Sequence, residues 1–228
     1  MTRLTHDPFA TPPLRPAAPA PLRDPAPLDP MRALTWEPGD EPWENVEVAG
    51  LDASGRPLVE LEVSGARLAD CRLAGCDLTG ASFADVSFER CDLSNATLDR
   101  ASFARCSLRD CKLTGASLME ASLENVAMTD CACGLCGLNQ VRLRAFSAQT
   151  CDFSGADLSE ATLRHVTLDD VRLIGTSFFR TALAGIDLTS CTLEGIVLSD
   201  AMDEVAGAKL DLYQAAALAR RLGVIIQE

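Results

Sequence analysis

The sequence predicts an all-β chain wound into a solenoid of short stacked coils and closed by one α-helix. Three observations carry this: a five-residue period that runs unbroken from Val46 to Asp200, nine of the ten cysteines held to one phase of that period, and helix signals confined to the C-terminal segment.

Composition sets the outer limits. The 228 residues are 47% hydrophobic, enough for a packed core, yet only 5% are aromatic, so aliphatic side chains must fill it. Acidic residues outnumber basic ones 33 to 20, a net charge of −13 that argues against direct nucleic-acid binding. No apolar run approaches the ~18 residues of a membrane span, and the N-terminus lacks the apolar stretch of a signal peptide. A cytoplasmic chain without membrane contact is therefore expected. The two histidines, His6 and His165, leave little room for histidine-based catalysis or metal binding.

Taken from the N-terminus, eleven of the twelve prolines fall before residue 45. Residues 1–34, rich in Pro, Ala and Arg and without periodicity, are expected to be a disordered tail. Residues 35–45 hold both tryptophans, Trp36 and Trp43, and are expected to cap the open mouth of the first coil. Residues 46–200 then divide into fives, as in CDLSN ATLDR ASFAR CSLRD CKLTG. The third place is Leu or Phe, giving the expected core residues Leu68, Phe83, Phe88, Phe103, Leu118, Phe153 and Phe178. The first place is small or β-branched, and the other three are polar, charged or Gly. A helix repeats at i, i+3 and i+4, and a strand alternates, so neither fits. A chain that turns a corner every five residues does fit, with coils stacked at about 4.8 Å.

This pattern resembles the pentapeptide-repeat family, with its A(D/N)LXX consensus, over residues 46–200. The resemblance implies a right-handed quadrilateral β-helix with four units per coil. On that assumption Leu51, Cys71, Cys91, Cys111, Cys131, Cys151, Val171 and Cys191 form one column, and Phe83 stacks on Phe103. Nine of the ten cysteines then occupy first places, which reads as small buried hydrophobes and not as disulfides or zinc ligands. Two units break the pattern: FSAQT exchanges the large and small places through Phe146 and Ala148, and CACGL puts Cys133 in the large place. A kink is expected around residues 131–150.

After Asp200 the pattern changes. Asp211 with Gln214 three residues on forms a capping box, and Leu212, Ala215, Ala216, Ala219 and Leu222 follow before Gly223. Val224, Ile225 and Ile226 read as a short strand. An exposed apolar tail needs cover. The segment TSFFRTALAGIDLTSCTLEGIVLSD and the tail LYQAAALARRLGVII also resemble the C-terminal parts of Qnr-type quinolone-resistance and mycobacterial MfpA-type proteins. That likeness implies a homodimer through Leu212, Tyr213, Ala216, Leu222, Val224, Ile225 and Ile226.

No phosphate loop, paired catalytic carboxylates or nucleophile elbow is present, so neither enzymatic activity nor a cofactor is expected. What remains is surface. Residues 46–200 carry 22 acids against 13 bases, unevenly spread over the faces. The face beginning at Val46 collects Asp70, Glu89, Asp110, Asp130, Asp169, Asp170 and Asp187, and the face beginning at Arg56 collects Glu120 and Glu160. Roughly eight coils make a rod of about 37 Å, near one turn of B-DNA at ~34 Å. The resemblance implies a DNA mimic that binds DNA gyrase or topoisomerase IV, inhibiting it or lowering susceptibility to quinolone-type gyrase poisons. The alternative is a scaffold for some other protein. Qnr-type proteins of Gram-negative bacteria carry loops bulging from the coil, whereas here no unit is interrupted; that departure implies gyrase binding more directly than protection from a drug.

Overall fold

A computed structural model describes residues 16–18, 20, 25–28 and 35–227. The rest of the tail expected over residues 1–34 lies outside the described residues.

The fifth residue of each unit bends the chain. From Gly50 to Gly185, every fifth residue has a positive φ. There the Cβ of an L-residue crowds the following carbonyl, at a cost of roughly 1–2 kcal/mol that Gly escapes and Asn or Asp partly offset. Those three types recur at the fifth place for this reason. Leu135 and Ala145, at φ 59° and 49°, are held in the same conformation by the coils on either side.

Half of each coil is one eight-residue strand running along two sides of the square. These are β4 (Glu62–Ala69), β5 (Ser82–Glu89), β6 (Ser102–Arg109), β7 (Ser122–Thr129), β8 (Arg142–Gln149) and β9 (Thr162–Asp169). The other half makes two tight turns joined to neighbouring coils by single bridges, as in the columns Asp52, Arg72, Asp92 and Pro57, Asp77, Thr97. All pairing is parallel, and Ser82 meets Ser102, then Ser122, Arg142 and Thr162. This twenty-residue register makes four units per coil and gives a right-handed quadrilateral β-solenoid. Shorter strands flank it: β1 (Ala26–Pro27) on β3 (Val46–Ala49), β2 (Trp43–Glu44) on β4, and β10 (Arg172–Ile174) on β11 (Thr192–Glu194). Trp43 is wholly buried, and the Trp36 ring nitrogen donates to the Val59 carbonyl at 3.3 Å.

First and third places point inward throughout. Leu68, Phe83, Phe88, Phe103, Leu118, Phe153 and Phe178 are all buried. The Phe83 and Phe103 rings stack at 4.8 Å, and Phe88 meets Phe83 edge-on at 5.4 Å. The kink expected at residues 131–150 does not occur. Phe146 and Ala148 both bury within an uninterrupted β8, in register with β7 and β9. The exchange of large and small residues nearly conserves volume, so the backbone ladder continues unchanged.

The ladder does stop one coil later. Residues 181–190 adopt the tight-turn form where a strand would stack on β9, and they pass their bonds onward: Leu183 N–H to the Glu204 carbonyl and Leu188 N–H to that of Lys209. The last coil also gains two residues, so Asp187 pairs with Lys209. A 3-10 turn (Asp203–Val205) makes the adjustment, with Met202 in the left-handed region. Glu204 is buried beside it. Burial pushes its carboxyl up, but the N–H groups of Arg180 and Ser199, at 2.9 and 3.0 Å, and the Ser199 hydroxyl outweigh burial and hold it below the usual glutamate value. A folded value below the unfolded one means that this stability is complete above about pH 4.3 and is lost as the pH falls through the folded value. Replacing Glu204 by Gln should cost about 1–3 kcal/mol in urea unfolding at pH 7 and progressively less in acid.

The chain ends in α1 (Leu212–Arg221), which has the expected capping box between Asp211 and Gln214. Gln214 then closes the solenoid, since its buried amide donates to the Leu188 and Cys191 carbonyls at 2.8 Å each. Leu212, Tyr213 and Leu222 face away, each more than half exposed. Val224, Ile225 and Ile226 form no strand, in contrast to expectation: the Val224 N–H turns back to the Ala219 carbonyl at 3.2 Å, and among the described residues no strand pairs with this segment.

Candidate partner-binding surface

With a strict twenty-residue register, outward side chains repeat down the rod, and a charge meets whatever stands one coil away. Several nominated acids meet arginine. Arg67 bridges Glu47 at 2.6 Å and Glu89 at 2.7 Å, and Arg90 holds Asp70 at 2.7 Å. The hydrogen bond from Arg67 keeps Glu89 below the usual carboxylate range, and that from Arg90 does the same for Asp70. Glu160 pairs with Arg180 at 3.4 Å, while Asp187 takes the Thr189 hydroxyl at 2.7 Å and lies 3.9 Å from Lys209.

The other five differ. Among the described residues Asp110, Glu120, Asp130, Asp169 and Asp170 form no ion pair, and all five are exposed. Asp169 accepts only a long bond from the Gln149 amide at 3.5 Å. Asp110, Asp130 and Asp170 share one column, interrupted by Thr150, and Asp169 lies beside its end. The nine acids thus divide into a neutralised set, mainly in the N-terminal coils and at the C-terminal end, and a negative row along the middle. Sequence reasoning missed this division. Its signal was present in opposite charges twenty residues apart, such as Asp70 with Arg90 and Asp85 with Arg105, the latter in contact at 2.5 Å.

The cysteines form no alternative centre. All ten are free and buried, and many donate to backbone carbonyls of the preceding unit or of the coil before, as Cys111 does to Arg109 at 3.3 Å and Cys91 to Leu68 at 3.4 Å. Burial pushes the Cys106 thiol up to about 11 and raises Cys76 and Cys191 as well. Among the described residues no cluster of three or more His, Cys, Asp or Glu could hold a metal ion. A thiol reagent at pH 8 should label fewer than about two cysteines in native protein and all ten in denaturant, because the thiolate is the reactive form. Labelling counted by mass spectrometry checks this.

The described residues contain no helix long and apolar enough to cross a membrane. Comparison with curated proteins finds no match. Among solved structures, a trypsin-treated form of QnrB1, a plasmid-mediated fluoroquinolone resistance protein, is 24% identical, over 82% of this chain and 90% of that one, with a TM-score of 0.46. HetL, a pentapeptide repeat protein involved in heterocyst differentiation in the cyanobacterium Nostoc, is 17% identical over 75% and 90%, with a TM-score of 0.33. A pentapeptide repeat protein of the Arabidopsis thaliana thylakoid lumen is 27% identical over 51% and 67%, with a TM-score of 0.34. The family profile for a pentapeptide repeat region matches residues 81–145, and that for pentapeptide repeats in eight copies matches 138–175 and 151–195. Together they span 81–195, just over half of the chain, and they show that the chain belongs to the pentapeptide-repeat family.

Proposed function

We propose that this protein is a non-enzymatic, cytoplasmic, DNA-mimicking rod that binds a type II topoisomerase, DNA gyrase or topoisomerase IV, and inhibits it. The observation that carries the reading is the unneutralised row Asp110, Asp130, Asp169 and Asp170 on a rigid scaffold. Charges fixed on a backbone ladder need no ordering when a basic groove closes on them. The length of the solenoid, about one turn of B-DNA, agrees with it.

The same reading includes a homodimer through the C-terminal end. Leu212, Tyr213, Leu222, Val224 and Ile225 present exposed apolar surface there, with Ala216 and Ile226 half-buried beside them. Burying such a patch is worth about 25 cal/mol per Å². Charged substitutions at exposed positions test this better than truncation, which would also remove Gln214 from the carbonyls that it caps. Replacing Tyr213 and Ile225 by Glu should convert a dimer to a monomer in sedimentation at micromolar concentration, with the β-sheet spectrum unchanged. A wild-type monomer under those conditions refutes the dimer.

The test of function is supercoiling by purified gyrase with the protein titrated in. Inhibition that weakens steeply with salt and is relieved by competing DNA supports the mimic. Absence of inhibition at tens of micromolar favours the scaffold alternative, for which the neutralised acids Asp70, Glu89, Glu160 and Asp187 speak.

A further inference from the structure

We propose that the free edge of β9 is a docking site for an extended peptide segment of a partner protein, carrying apolar residues at i, i+3 and i+5 and an acidic residue directly after the first. The sheet ends, among the described residues, at β9, which pairs only with β8. Among the described residues no backbone hydrogen bond joins β9 to residues 182–189. Only the corners are held: the Thr181 hydroxyl accepts from Ala161 N–H at 2.8 Å, and that of Ser190 accepts from Asp170 N–H at 3.2 Å. Between them the Cys191 thiol lies 3.9 Å from the Leu168 carbonyl. A strand edge with open donors and acceptors is a template for another strand.

The side chains agree. Leu143, Phe146 and Ala148 of β8 are buried, whereas Leu163, Val166 and Leu168 at the same places in β9 are only half-buried. Behind them lies an apolar cavity of about 40 Å³, also lined by Phe178 and Leu183. An added parallel strand would place inward residues over Leu163, Val166 and Leu168, which sets the spacing.

Charge sets the rest. Arg142 and Arg164 are exposed and form no ion pair among the described residues, whereas Asp169 closes the other end of the strand. One coil earlier the rod shows the contact that Arg164 lacks. Glu124 of β7 meets Arg144 of β8 at 3.0 Å, in the register that would bring an incoming acid onto Arg164. The N-terminal tail of this chain suits the site badly, since its prolines cannot donate to a ladder and its charge is mixed.

The probe is a labelled peptide of the β7 sequence, Ser-Leu-Glu-Asn-Val-Ala-Met-Thr, titrated into full-length protein by fluorescence anisotropy. Saturable binding at about 10–100 µM is expected, weakened at least tenfold when lysine replaces the glutamate. Arg164→Glu should reverse that preference, which a merely structural role of Arg164 would not do. No saturation at 1 mM, or equal binding of both peptides, overturns the proposal. Hydrogen exchange gives an independent reading, since the Leu163, His165 and Leu168 amides should exchange fast in the free protein and slow on adding peptide. Protection already present without peptide shows that residues 182–189 close the edge, and protection that grows with protein concentration places a second copy there. Either result overturns it.

Discussion

Phe83→Ala should remove about 3–5 kcal/mol of stability, the largest loss expected of any single substitution here. Phe83 is buried, stacks on Phe103 at 4.8 Å and meets the edge of Phe88 at 5.4 Å, so truncation removes two aromatic contacts as well as the buried area. The surroundings cannot collapse into the gap. β4 and β6 clamp the backbone of β5 on both edges in fixed register, and the wall of the coil stays where it is. A globular core relaxes partly around such a hole, whereas a solenoid holds it open. Denaturant unfolding with an unchanged m-value measures the loss. A cost below about 1.5 kcal/mol would mean that the interior of the coil is soft.

The repeat made most of the fold legible. A five-residue period with two inward places dictates a corner at every unit, and four such corners return the chain to its own ladder, so Leu68, Phe83 and Phe178 could be placed inside before any coordinate existed. Departures arose where the period stops dictating geometry. The near-conserved volume of the Phe146 and Ala148 exchange is visible in the sequence, but whether the ladder absorbs it without bending depends on the coils on either side. Residues 181–190 keep the inward pattern at Leu183, Ile186 and Leu188 yet fold as turns, bonded to a following coil that carries two extra residues before Lys209. In α1 the sequence shows the capping box, but not that the polar Gln214 of that box also closes the last coil by donating to two of its carbonyls. The acidic faces were visible as composition. Their division into neutralised and bare charges was not, because it depends on what lies one coil away.

That division sets the sharpest functional test. Reversing Asp110, Asp130 and Asp170 to Lys together should weaken inhibition of gyrase by on the order of a hundredfold or more, taking about tenfold for each charge that meets a basic partner. The loss should be greatest in low salt and shrink above about 0.3 M, where the screening length falls well under 10 Å. Folding should be little changed, since exposed substitutions of this kind cost within about 0.5 kcal/mol each and these three carboxylates form no ion pair among the described residues. The matched control replaces Asp70 and Glu89 by Asn and Gln. Both sit on the same face, but Arg90 and Arg67 already occupy them, so removing their charge frees two arginines and should reduce inhibition by less than about tenfold. Net charge alone would rank the variants by charge removed per residue, without regard to place. A bare row acting as a phosphate mimic ranks them by whether a carboxylate was free to meet the partner. Equal loss per charge from the two sets would therefore reduce the reading to nonspecific electrostatics, and no loss from the triple reversal would remove the aspartate row from the interface.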